Sequence, residues 1–443
     1  MTTTSHGHAL INALAKSMGG KYSLYLMQVL SMVVLARVFT PEQFGIFAIV
    51  QVFAMFFALF SEIGLVPALV NEKQISERMR NGVFGFTLAI GCTVFVIFLM
   101  FSPAIAWFYD NSAYQYLILP VAVSIIFNAG SIVPTAAYIR EKKFLHIARA
   151  EIFAELASLA VVLGLLSMQR FEAVLVLAFK PLTVSIVKFI ALWHGSLKTE
   201  VGRPMFSKEF TQVKPLFKFS IYQFMSNVMV YFSRNLDNLL VGKYFGATSL
   251  GLYDKAYQLM RYPLMLLTFA MAPAIQPVLK ELNHDKAKFT ALHNKFISYL
   301  AVLGGFVGLG LYLTADLIVL LLLGNQWGDV AGLLKILAIS VPIQIVLSST
   351  GGFFQAANRT DLMFVATIFS FVTNVGAIVL AIIFGDLYVL CWAITASFSV
   401  NFIQCYYLLG KHVFNKDYAG LILPLFIVFF ASALILILNL LGI

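Results

Sequence analysis

Runs of about twenty apolar residues, separated by short polar turns, recur along nearly the whole chain. A run of that length spans the hydrocarbon core of a bilayer as one α-helix, the only open segment that satisfies its own backbone there. We read about thirteen such runs, near 22–37, 44–69, 82–102, 115–139, 148–168, 173–194, 216–242, 250–274, 294–323, 330–356, 362–384, 387–409 and 420–442. Composition agrees. Hydrophobic residues make up 60% of the 443 positions and charged residues only 11%, against about 25% charged in a soluble protein. The charges are too few to coat a water-soluble fold of this size. No connection is long enough to build an aqueous catalytic head.

The formal net charge of +10 would suggest nucleic acid in a soluble chain. Here it reports orientation. With the N-terminus in the cytoplasm, about 21 basic residues fall in inner connections and about three (Arg37, Arg170, Lys243) in outer ones. The inner set includes Lys73, Arg78, Arg80, the Arg140–Lys143 cluster, Lys198, Lys208, Lys295, Arg359 and Lys416. The first twenty residues lack the pattern of a cleaved signal peptide, so the N-terminus is expected to be retained. Cys92, Cys391 and Cys405 lie inside apolar runs and predict no disulfide framework. The seven histidines fall in or beside polar connections or at the N-terminus. No metal site, cofactor or catalytic constellation is predicted.

The longest polar stretch lies near mid-chain, around His194–Lys214. A weak internal repeat supports a division there. ARVFTPEQFGIFAIVQVF at 36–53 aligns without gaps with GKYFGATSLGLYDKAYQL at 242–259, matching Phe39 to Phe245 and Gly45 to Gly251. Both segments join the first two helices of a half, and six helices separate them, which makes a parallel repeat. The expected architecture is an all-α polytopic membrane protein. It has a six-helix lobe (1–194), a cytoplasmic linker (195–215), a second six-helix lobe (216–409) and an extra C-terminal helix (410–443).

LARVFTPEQFGIFAIV, IREKKF after the fourth span, and LDNLLVGKYFGATSLGLYDKAYQL across spans seven and eight resemble the Wzx-type polysaccharide flippases. These belong to the multidrug/oligosaccharidyl-lipid/polysaccharide exporter superfamily. Members usually have twelve or fourteen helices, so thirteen is a departure. The resemblance implies a bacterial inner-membrane protein, not an enzyme. It would move an undecaprenyl-diphosphate-linked oligosaccharide to the outer leaflet, for surface polysaccharide such as O-antigen or exopolysaccharide.

Charges inside a bilayer are costly and usually face a bundle interior or an aqueous cavity. On the seventh span Gln223, Asn227, Tyr231, Arg234, Asp237 and Asn238 share nearly one helical face. On the eighth, Asp254, Tyr257, Gln258 and Arg261 do the same, with Lys255 beside them. The short turn between these spans predicts that their outer ends are close. A diphosphate is anionic and rich in acceptors, which suits guanidinium forks and ammonium point charges. Arg234, Arg261, Lys180, Lys255 and Asn238 are therefore the expected substrate contacts. Asp237 and Glu155 are the expected carboxylates for coupling to H⁺ or Na⁺. Mutual neutralisation of Arg234 and Asp237 is the competing reading for that pair. Lys180 precedes Pro181 well inside its span, a cation at a bending point; Lys188 is expected to snorkel to the inner interface. Glu62, Asp316 and Lys335 are assigned interfacial or undecided roles. Expected partners are the polyprenyl-diphosphate glycan and membrane lipids, with no nucleic acid. The alternatives are a cation-coupled multidrug antiporter and a membrane-embedded polysaccharide polymerase or ligase. Outer loops without histidine argue against the enzyme.

Overall fold

The computed structural model describes residues 3–281, 286–414 and 419–442; Lys416 and His284 lie outside them. Every regular element among the described residues is helical. The chain divides into two compact units, Met1–Lys243 and Tyr244–Ile443.

The first unit contains α1 (Thr3–Val38), α2 (Pro41–Glu62), α3 (Leu65–Asn71), α4 (Glu77–Tyr109), α5 (Ala113–Gly130), α6 (Ile132–Arg140), α7 (Phe144–Ser167), α8 (Ala173–Gly195) and α9 (Lys214–Tyr244). The second contains α10 (Gly246–Glu281), α11 (Lys286–Leu313), α12 (Ala315–Leu322), α13 (Gly328–Ala338), α14 (Val341–Ala356), α15 (Thr360–Phe384), α16 (Leu387–His412) and α17 (Ala419–Leu441). Among the described residues nine helical segments are long and apolar enough to cross a membrane, or ten if the bent α13–α14 pair is one span. Three more helices, α1, α9 and α10, have 36, 31 and 36 residues and stand where the remaining expected spans lie. The chain is a multi-pass membrane protein.

Four expected spans are broken, and the causes of three are local. Ile63 and Gly64 both adopt left-handed backbone (φ 39° and 65°) between α2 and α3. A side chain at Gly64 would sit 2.7 Å from Gln223 Cβ and 2.9 Å from Ser220 O. Glycine is thus required twice there, by conformation and by the approach of α9. The α5–α6 break falls at Ser131, whose hydroxyl donates back to Phe127 O at 2.9 Å, an alternative to the helical ladder. The α13–α14 pair bends by 59° just before Pro342, which fits the first turn of a helix because it has no N–H to satisfy. Gln344 spans the bend, donating to Ser340 Oγ at 2.8 Å and to Met260 Sδ at 3.3 Å. The fourth break separates α11 from α12 at Thr314.

The repeat is visible in burial. Phe44, Gly45 and Ile46 are buried in the first unit, and their counterparts Leu250, Gly251 and Leu252 are buried in the second. The turn chemistry differs. Thr40 caps α2 in a reciprocal box with Gln43, with Pro41 in the first turn.

The compact units divide after Lys243, whereas the repeat begins its second half at 216. Four contacts along α9 account for its place in the first unit. Its N-terminal half meets Gly64. At mid-helix Tyr231 donates from its hydroxyl to Val52 O of α2 at 2.9 Å. Toward its end Leu239 O accepts from Tyr109 Oη at 3.0 Å, and Lys243 donates to Phe108 O.

The IREKKF segment is structural as well as basic. Arg140 donates to the carbonyls of Leu69, Val70, Glu72 and Lys73. It gathers carbonyls at and just beyond the end of α3, where the helical ladder runs out.

Candidate functional site

The first group of expected site residues lies between α7 and α8. Glu155 is buried, and its Oε1 lies 2.6 Å from Lys180 Nζ. Glu151, one turn earlier on the same face, accepts from Lys188 Nζ at 2.6 Å. Two cation–acid rungs therefore join the antiparallel helices. Lys180 and Glu155, expected to serve substrate and ion separately, form one pair. The ammonium of Lys188 is held by Glu151, and it also acts electrostatically on Glu62 at the end of α2.

The α9 stripe forms a second group. Gln223 donates to Asn227 Oδ1 at 3.1 Å, which confirms that the i,i+4 spacing is realised. Further along, Asn235 donates to Tyr231 O, and Asp237 Oδ1 accepts from the backbone N–H of Asn238 at 2.9 Å. Tyr231 turns toward α2 and is buried, whereas Arg234 is exposed. Arg234 forms no ion pair with any described residue. The expected local neutralisation by Asp237 is not among the ion pairs of the described residues. A guanidinium left open on a membrane helix has five donors and no acceptor. It can take an anionic oxygen pair bidentately.

The third group belongs to α10 in the second unit. Lys255 is only 6% exposed. It donates to Asp254 Oδ2 at 3.0 Å and to Gln258 Oε1 at 3.1 Å. Gln258 in turn donates to Tyr262 Oη at 2.9 Å. Arg261 is half-buried, with its guanidinium 5.8 Å from the Tyr257 ring centroid, within cation–π range. Of Arg261 and Lys255, Lys255 is the more engaged by neighbouring side chains. Lys335 pairs with Asp316 at 2.8 Å.

Sequence spacing did not reveal that α7 and α8 would match their charges rung by rung, because the register between antiparallel helices is set by packing. It also missed His293, which is fully buried against Phe353 and Phe414, each with its ring centroid 4.4 Å away. Its place beside Lys295 made it look like a loop residue. Among the described residues no cluster of His, Cys, Asp or Glu has the arrangement of a metal site.

Comparison with known proteins bears on what these groups serve. A family described as polysaccharide biosynthesis protein matches residues 34–332. The lipopolysaccharide biosynthesis protein WzxC of Escherichia coli is 23% identical over 405 residues, covering 90% of this chain and 81% of that protein. Among solved structures, the lipid II flippase MurJ in an inward closed conformation superposes with a TM-score of 0.75 at 16% identity, over 96% of this chain and 92% of that one. An inward-facing multidrug resistance MATE transporter superposes with a TM-score of 0.68 at 16% identity, over 89% and 96%. At these identities the structural likeness establishes the fold alone.

Proposed function

Because the chain belongs to the polysaccharide biosynthesis protein family, we propose that it flips a polyprenyl-diphosphate-linked oligosaccharide across the bacterial inner membrane. The glycan would pass from the cytoplasmic to the outer leaflet for surface polysaccharide assembly, with the N-terminus in the cytoplasm. The names of WzxC and MurJ support the class of cargo. The observation that carries the reading is Arg234, exposed on α9 and in no ion pair with any described residue. An unpaired cation at that depth is expensive unless a ligand or an aqueous cavity receives it. A diphosphate headgroup supplies the charge it lacks.

In this reading Arg234 of the first unit contacts the diphosphate, with Asn238 donating to neighbouring acceptors, and Arg261 is a substrate contact proposed for the second unit. Lys180 and Lys255 serve as reserve cations that must first leave Glu155 and Asp254. Exchange at Glu155 gives a route to coupling: a proton or Na⁺ takes the place of Lys180 on the carboxylate, and the freed ammonium turns to the phosphate. Asp237 is the second carboxylate for coupling. The two repeat lobes, 1–194 and 216–409, alternate access to the site; the linker 195–215 joins them and 410–443 adds an outlying helix.

The MATE likeness favours a second reading, a cation-coupled drug antiporter. Such a carrier needs carboxylates open to cationic cargo. Here Glu151, Glu155 and Asp254 are each engaged by a lysine, which favours the anionic cargo. The test is Arg234→Ala in a strain whose surface glycan depends on this chain. We expect normal membrane levels, loss of surface glycan and accumulation of the lipid-linked precursor on the inner leaflet. Normal glycan with heightened drug sensitivity would instead support the antiporter.

A further inference from the structure

The polar connection between α8 and α9 is built into the first unit as a strap. Its backbone crosses α4 so closely that a side chain at Gly85 would sit 1.9 Å from Ser207 O, and one at Gly82 would sit 2.5 Å from Glu209 O. Asn81 Oδ1 accepts from the Met205 N–H at 2.9 Å, and Arg80 donates to Val201 O at 2.9 Å. Trp193 donates from its indole to Pro204 O at 3.0 Å while the Arg203 guanidinium stacks over its ring at 4.5 Å. The IREKKF segment holds the other end: Lys143 donates to Lys198 O at 3.0 Å, and Glu141 accepts from the Glu200 N–H at 2.5 Å. Ser196, Thr199, Pro204 and Val213 are buried by this attachment.

The outward side of the strap is not polar. Leu197, Met205 and Phe206 are 60%, 57% and 58% exposed, and Phe210 is exposed as well. Exposed Lys198, Lys208 and Lys214 are interleaved with them. Glu200 and Glu209 are also exposed; with Arg203 counted, cations still outnumber acids on the strap. Large apolar side chains held outward on a fixed backbone are unfavourable in water. Lysines are unfavourable in hydrocarbon. One environment suits both, the boundary between acyl chains and anionic headgroups. The attachment sets the depth. Gly82 and Gly85 lie five and eight residues into the membrane helix α4, roughly 8–12 Å from its start at 1.5 Å per residue.

We propose that residues 197–214 form an interfacial anchor that docks on anionic phospholipid, with Leu197, Met205, Phe206 and Phe210 in the acyl boundary and Lys198, Lys208 and Lys214 on lipid phosphates. The assignment to the cytoplasmic leaflet rests on the proposed orientation; the anchoring itself does not. Bulk phospholipid, rather than transported glycolipid, is the partner, because the strap's hydrogen bonds go to Arg80, Asn81, Glu141, Lys143 and Trp193 and not to the charged groups of α7–α9.

The experiment uses the full chain with Cys92→Ser, Cys391→Ala and Cys405→Ala. A nitroxide is attached at Phe206→Cys, at Met205→Cys as a second reporter, or at Glu209→Cys as the water-facing control. In vesicles of phosphatidylethanolamine with phosphatidylglycerol, labels at 205 and 206 should collide with oxygen more than with a nickel chelate. The label at 209 should show the reverse. Exchanging phosphatidylglycerol for phosphatidylcholine, or combining Lys198→Gln, Lys208→Gln and Lys214→Gln, should move the first two labels toward water. Nickel access at 206 equal to that at 209 would overturn the proposal. So would shielding from both reagents, which would mean that protein covers the strap. Burial in lipid that ignores both the phosphatidylglycerol and the lysines would also overturn it. None of these outcomes depends on transport, so failure of the anchor and failure of the flippase reading are separable.

Discussion

The α7–α8 rungs and the α9 stripe lie in the same compact unit and treat charge in opposite ways. Between α7 and α8 the cations Lys180 and Lys188 each have an acid at 2.6 Å. On α9 Arg234 stands exposed and forms no ion pair with a described residue. The desolvation cost of a buried ion is recovered only by a well-placed counter-charge. The rungs recover it inside the protein and so hold two helices in register. Arg234 leaves it unrecovered until something else arrives. A paired charge therefore reads first as structure and an open one first as binding, although both meet the same sequence criterion of a charge within a span.

The largest expected effect would break the structural half of this contrast. Lys180→Met leaves Glu155 buried without its cation and should cost about 3–5 kcal/mol of stability, seen as a lowered thermal midpoint in detergent. Adding Glu155→Gln should recover most of that loss. If the single substitution were silent, the pair would not be holding α7 to α8. Next in size, Arg234→Ala should leave the thermal midpoint nearly unchanged. It should lower transport roughly ten- to a hundred-and-fifty-fold, the value of about 1.5–3 kcal/mol for a charged hydrogen bond. Arg234→Lys should fall between, since an ammonium keeps the charge and loses the fork. A stability loss at Arg234 equal to that at Lys180 would erase the distinction. A smaller effect is expected at Tyr257→Leu, which removes the ring beneath Arg261 and about 0.5–1 kcal/mol of cation–π attraction. The measurement is glycolipid affinity in nanodiscs, where Arg261→Ala should weaken binding more than Tyr257→Leu does.

Much of this was legible in the sequence. Apolar runs located the membrane helices because hydrocarbon leaves the backbone no other partner. The repeat located the α1–α2 and α9–α10 turns, and i,i+4 spacing located the Gln223–Asn227 contact. Sequence spacing gave no hint that α9 would pack within the first unit, since Tyr231 reaches Val52 across 179 positions. Nor did it separate Lys180 from Arg234. Each is a lone cation in an apolar run, and only the register of the neighbouring helix decides which one finds an acid. In sequence the strap reads as a linker because it is the longest polar stretch and lies near mid-chain. Its fixed path depends on Gly82 and Gly85, two glycines that in sequence look like ordinary helix positions.

The smallest effect sharpens the same contrast outside the membrane, at Glu141. Burial pushes its carboxyl up, but hydrogen bonds from the Lys143 ammonium and the Glu200 N–H outweigh that and hold it below the ordinary carboxylate value. Its contribution is therefore present above the unfolded value, about 4.3, and is lost as pH falls through the lower folded value. Hydrogen exchange at Glu200 N–H should stay slow from neutral pH down to that region, after correction for the intrinsic rate, and quicken below it. Glu141→Gln should remove the pH dependence and leave transport at neutral pH intact, because the strap keeps its attachments at Asn81, Arg80 and Trp193. A pH-independent Glu200 in the unsubstituted chain would mean that this carboxylate, unlike Glu155 beside Lys180, pairs without holding anything in place.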